Sequence, residues 1–179
     1  TLAQNIIEHN CTVGIPGYFA TLEMEEEEVM GRIVSSQAGI NTDFLIDPSG
    51  YDKNNHDTDD QWSKLTAGVN KVMDWPVSIN FCPGLTIKKL KQDVRDHFSK
   101  SEAYKKDGKG LIVVDYLGLM RYSGDNEVSG LGGIVNELKT FAGEMGIPII
   151  VLAQLNRKLE ERNDKRPMMS DLRGSGEIE

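Results

Sequence analysis

The eight residues Gly110-Leu111-Ile112-Val113-Val114-Asp115-Tyr116-Leu117 constrain this chain most. Four large aliphatic side chains run without a polar break into an aspartate. A strand with one wet face would alternate apolar and polar residues. An unbroken, largely β-branched run suits a strand buried on both faces of a parallel sheet. The carboxyl edge of such a sheet is where open α/β folds bind ligands, so Asp115 ends its strand where a site would lie. Nucleotide hydrolases hold Mg²⁺ on the phosphates from this position, because a hard cation prefers carboxylate oxygens and water. An ordinary strand terminus has the same pattern, and the run alone leaves both readings open.

Further strand and helix patterns lie on either side. Tyr18-Phe19-Ala20-Thr21-Leu22 reads as a strand ending in Glu23-Met24. Val77-Ser78-Ile79-Asn80-Phe81 reads as a second strand, and Ile147 to Ala153 as another that ends in Gln154, with Pro148 tolerable only near its start. Helical faces appear in Val29, Met30, Ile33, Val34 and Ala38, closed by Gly39, and over about 61–73 in Trp62, Leu65, Val69 and Met73. The spacing of Ile87, Leu90, Val94 and Phe98 gives a third face, with Thr86 as its cap. Val128, Leu131, Ile134, Val135, Leu138, Phe141, Ala142 and Met145 give a fourth, closed by Gly146. Glu25-Glu26-Glu27-Glu28 falls in the first turns of its helix, where the dipole favours negative charge. Lys105 to Lys109 reads as a charged turn, and Asp47 to Asp60 as an exposed loop. That loop misses the EF-hand calcium pattern, since Asp57 stands where glycine is required. Residues 1–9 look helical but lack a capping residue, so the reading expects earlier residues. Strand–helix units in this succession predict one domain with a three-layer α/β fold and a mostly parallel sheet.

Composition narrows the function. No apolar stretch reaches the roughly 18 residues of a membrane span, and the start lacks a basic signal-peptide region. Cys11 and Cys82 are too few for a disulfide framework, and His9 with Cys11 lacks a second pair at zinc-finger spacing. A net charge of −8 argues against nucleic-acid binding over the whole surface. The stretch from Leu155 to Arg173 runs the other way, with six Lys/Arg against four Asp/Glu.

Glu23, Asp115 and Gln154 each end an apolar run. In a parallel sheet the three ends face one way and can converge on one crevice. Asp suits Mg²⁺, Glu suits orienting and deprotonating a water, and Gln can hydrogen-bond a terminal phosphate without adding charge.

Leu22-Glu23-Met24, Ile112 to Leu117, Ala153-Gln154-Leu155-Asn156-Arg157 and Asp164 to Glu179 resemble, in order and spacing, the motifs of DnaB-type replicative helicases, which are RecA-like ATPases. The resemblance covers nearly the whole chain. It implies ATP and Mg²⁺ as ligands. By it, Glu23 resembles the catalytic carboxylate, Asp115 the Walker B aspartate and Gln154 the γ-phosphate sensor. Arg32, nine residues after Glu23, is similar to a family arginine at the nucleotide. Arg173, Gly174 and Gly176 fall on the family's strand-contacting loop, although an acidic residue often stands in place of Gly174. Single-stranded DNA, a homo-hexameric ring, and primase and loader partners are implied in the same way, in the cytoplasm of a bacterium or of a phage host. The resemblance also places a Gly-Lys-Ser/Thr phosphate loop just before Thr1 and an arginine finger beyond Glu179. Residues 1–179 alone are therefore expected not to turn over ATP. The long polar stretch from Leu45 to Asp60 marks a divergent member, with a phage-encoded one in view. A RecA-like ATPase of recombination or clock type shares Glu23, Asp115 and the sheet, but leaves the Asp164–Glu179 tail unexplained. A binding module that kept the fold and lost the chemistry is the third reading.

Overall fold

The computed structural model describes residues 8–11, 13–48, 58–121, 131–154, 164 and 166. Strands β1 (Gly17–Thr21), β2 (Val77–Phe81), β3 (Leu111–Asp115) and β4 (Ile149–Val151) form one sheet in the order β2-β1-β3-β4. All three pairings are parallel, and Thr21 stands opposite both Phe81 and Asp115. The expected parallel sheet is therefore present, with β3 next to its centre.

Side-chain alternation sorts the sheet into two faces. Tyr18, Ala20, Ile112 and Val114 point to one, where helices α4 (Ile87–Lys100) and α6 (Leu131–Met145) cover them. Phe19, Leu111 and Val113 point to the other, against α1 (Glu26–Ala38) and α3 (Thr58–Met73). Residues 111–114 are all buried, as a strand covered on both faces must be. Ile87, Leu90, Val94 and Phe98 of α4 are buried at the predicted three- and four-residue spacing. The Thr86 hydroxyl accepts from Lys89 N at 3.3 Å, as its position before the apolar stripe predicts. Gly39 closes α1 with φ 66°, a backbone conformation that favours glycine.

Local differences from the sequence reading have physical causes. Lys105 to Lys109 is not all turn: α5 (Glu102–Asp107) occupies most of it. Ser101 caps that helix by accepting from Tyr104 N, a Lys105–Glu102 ion pair spans it, and Gly108 ends it in the left-handed conformation. A further short helix, α2 (Thr42–Ile46), is started by Asn41, whose side chain accepts from Asp43 N at 3.1 Å. Helix α3 begins three residues before the expected 61, at Thr58. Residues 1–7, 49–57 and most of the stretch after Gln154 lie outside the described residues, as does Val128 at the expected start of α6. Among the described residues no helix is long and apolar enough to cross a membrane.

Candidate active site

The ladder between β1 and β3 continues one step past Thr21, where Leu22 N donates to the Asp115 carbonyl at 2.8 Å. Glu23 is the next residue, so it leaves the sheet beside the end of β3. On the far side, Leu152 N donates to Val114 O at 3.0 Å, and Leu117 N donates to Leu152 O at 2.9 Å. Gln154 follows two residues later. Glu23, Asp115 and Gln154 thus emerge at the carboxyl ends of three neighbouring parallel strands. Glu23 and Gln154 are exposed, and Asp115 is partly buried.

Thr21 was not singled out from the sequence. It is 1% exposed and uses its hydroxyl twice, donating to Met24 O at 2.8 Å and accepting from Met24 N at 3.1 Å. These two bonds close the turn that carries Glu23. A polar β-branched residue as the last member of an apolar strand was the available signal, because a buried hydroxyl needs a partner.

Burial pushes the Asp115 carboxyl above its ordinary range; the neighbouring Glu23 charge adds to this, and the Arg32 guanidinium opposes it. The Glu23 charge thus acts on Asp115 in the same direction as its burial. A divalent cation would relieve both the desolvation and the repulsion. Among the described residues no group of three His, Cys, Asp or Glu side chains could hold a metal. Asp115 with Glu23 beside it is a donor set that fits Mg²⁺, which is held by one or two carboxylates, waters and the phosphates of its substrate rather than by a protein cage. The peptide between Asp115 and Tyr116 is cis.

Arg32 lies on α1, with Nη2 2.6 Å from Glu28 Oε1. Both side chains are about half exposed, so the pair is worth roughly 0.2–1 kcal/mol. A phosphate or other ligand could exchange for Glu28 at little cost. Elsewhere in the acidic run, Glu26 Oε1 accepts from Phe81 N at 2.9 Å, tying α1 to the edge strand. The run thus has a tertiary role beside its favourable place on the helix dipole. Arg173, Gly174 and Gly176 lie outside the described residues.

A three-layer parallel sheet with acid, acid and amide at adjacent strand ends has the architecture of a RecA-like ATPase domain. A family model described as DnaB-like helicase C terminal domain matches residues 1–179, and the chain belongs to that family. Replicative DNA helicase DnaB of Nostoc sp. is 36% identical over 175 residues, covering 98% of this chain and 18% of the relative. Replicative DNA helicase DnaC of Bacillus subtilis is 35% identical over 162 residues, covering 89% of this chain and 33% of the relative. The chain thus spans a third or less of the length of these curated relatives. A solved ATPase domain superposes with a TM-score of 0.86 at 25% identity, covering 98% of this chain and 60% of that one. A solved DnaB-like replicative helicase, described with its interactions with primase, gives 0.81 at 24% identity, covering 98% and 39%, and is similar in fold.

Proposed function

We propose that residues 1–179 form one ATPase motor domain of a replicative DNA helicase, coupling ATP hydrolysis to movement along single-stranded DNA and to unwinding. The observation that carries this reading is the emergence of Glu23, Asp115 and Gln154 from adjacent parallel strands at one sheet edge, within a chain of the DnaB-like family.

Glu23 accepts a proton from the attacking water and orients it. The buried Thr21 hydroxyl ties its turn to Met24 and so holds the backbone from which the carboxylate extends. Asp115 would hold Mg²⁺, which when bound neutralises charge on the phosphates. Gln154 hydrogen-bonds the terminal phosphate and reports its loss to the chain that follows β4. Arg32 leaves Glu28 for the nucleotide. Arg173, Gly174 and Gly176 contact DNA phosphates, the cation by charge and the glycines by backbone N–H. Such contacts are indifferent to sequence, as a motor requires.

The reading carries single-stranded DNA and further copies of the same chain in a hexameric ring as partners, with primase and a loader as additional ones. It places the protein in the cytoplasm of a bacterium or of a phage host. Strand separation on a forked duplex with Mg²⁺ and ATP is the test for the intact protein. Unwinding that stops on removing either Mg²⁺ or ATP supports the reading. ATP turnover without unwinding would assign the chain to a RecA-like ATPase of another kind.

A further inference from the structure

Glu23 stands in the short connection Leu22 to Glu25, between β1 and α1. The near end of this connection is bonded to strands on both sides. Thr21 O accepts from Cys82 N at 2.8 Å, and Leu22 N donates to Asp115 O at 2.8 Å. The Thr21 hydroxyl then holds Met24. The far end lacks the usual device. Glu25, the residue before α1, makes no side-chain capping bond, and a helix start without a cap leaves N–H groups open and tends to fray.

Glu26, the first residue of α1, supplies what the cap does not. Its Oε1 accepts from Phe81 N at 2.9 Å, across 55 residues of sequence. Successive N–H groups along a strand point to opposite sides. Cys82 N is directed at Thr21 in β1, so Phe81 N faces away from β1, on the side of β2 where no described strand pairs. A carboxylate on a backbone N–H makes one of the stronger kinds of hydrogen bond. Helix α1 therefore starts from a fixed point on the sheet, three residues beyond Glu23. The helix dipole alone does not account for this choice, because it favours an acid equally at Glu26, Glu27 and Glu28.

We infer that Glu26 is a positioning residue for Glu23: by pinning the first residue of α1 to β2, it holds the far end of the turn whose near end Thr21 holds. This rests on the reading above in which Glu23 acts on the attacking water. Glu26 works through the backbone and takes no part in the chemistry. Anchors to different partners on either side of Glu23 leave its backbone little room to move. Arg32 lies six residues further along α1, beyond the first turn, so a loosened helix start shifts Glu23 more than Arg32.

The test is single-turnover ATP hydrolysis by the intact protein with Mg²⁺, with ATP affinity measured alongside. Glu26→Ala is expected to slow hydrolysis about tenfold, inside the roughly 100-fold that an ångström of misplacement can cost, while ATP affinity stays near the parent value. Glu26→Gln keeps an accepting oxygen at the same reach without the charge, and should hydrolyse near the parent rate. Glu26→Asp keeps the charge but is one methylene shorter, and should be as slow as Glu26→Ala. The parent rate in Glu26→Ala would overturn the inference and leave the role of Glu23 standing. A slow Glu26→Gln beside a parent-rate Glu26→Asp would also overturn it, by making the effect one of charge. So would a loss of ATP affinity in step with hydrolysis, the mark of general damage to α1. Glu23→Gln in the same assay separates the two claims: hydrolysis at the parent rate there would remove the role of Glu23 and this inference together.

Discussion

Thr21 and Asp115, opposite each other in the sheet, make separable contributions to the site. Replacing Thr21 with Val keeps the shape and burial of the side chain and removes both bonds to Met24. We expect a stability loss of about 1–3 kcal/mol, the cost of leaving buried polar groups unpaired. The hydrolysis rate should fall by more than ATP affinity does, because the change loosens the turn carrying Glu23. Comparing kcat with KM checks this, and an unchanged kcat would show that the turn does not position Glu23. At Asp115, the raised carboxyl pKa means that the folded protein binds its proton more tightly than the unfolded chain. The contribution to stability is therefore greatest below the ordinary carboxylate range and is lost as pH rises through the folded value. Asp115→Asn should raise the melting midpoint in metal-free buffer at neutral pH, with little gain at about pH 3, below the ordinary carboxylate value. The same variant should lose the stabilisation that Mg²⁺ with nucleotide gives the parent. A lower midpoint at neutral pH would contradict the burial and repulsion described for Asp115. The residue scale was only partly legible in the sequence. Glu23, Asp115 and Gln154 stand at strand ends, where a pattern shows them. The Thr21 hydroxyl depends on a partner brought close by folding.

At the scale of elements, legibility followed length and periodicity. Helix α4 places four apolar residues at spacings of three and four, enough for the stripe and its Thr86 cap to be read directly. Helix α5 has six residues and buries none of them, so there was no stripe to find and its lysines looked like a turn. Strand β4 was read as seven residues because its apolar run is that long, but only Ile149–Val151 form the strand. Packing between elements is close where β3 begins. A methyl group on Gly110 would lie 2.5 Å from Phe98 Cε1 and 2.9 Å from Cζ. Phe98 is fully buried, with the His97 and Tyr104 rings 5.0 and 4.9 Å away, and has little freedom to yield. Gly110→Ala should therefore cost about 1–3 kcal/mol through overpacking. Chemical denaturation measures it, and a variant as stable as the parent would show that the α4–β3 contact has slack.

For the whole molecule, the layer order followed from β3. A strand buried on both faces requires helices on both faces, and α4 and α6 on one side with α1 and α3 on the other supply them. The order β2-β1-β3-β4 could not be read from the chain, because it depends on which strands pair. That order makes Glu23 and Gln154 flank Asp115. The central claim is that these three strand ends form one hydrolytic site in which Glu23 acts on water rather than holding nucleotide. Single-turnover ATP hydrolysis by the Glu23→Gln variant of the intact protein, with nucleotide binding measured alongside, tests it most directly. The account predicts near-parent ATP affinity and hydrolysis slowed about 10²–10⁴-fold, the range of a general base. Hydrolysis at the parent rate, or loss of ATP binding in step with hydrolysis, would contradict it.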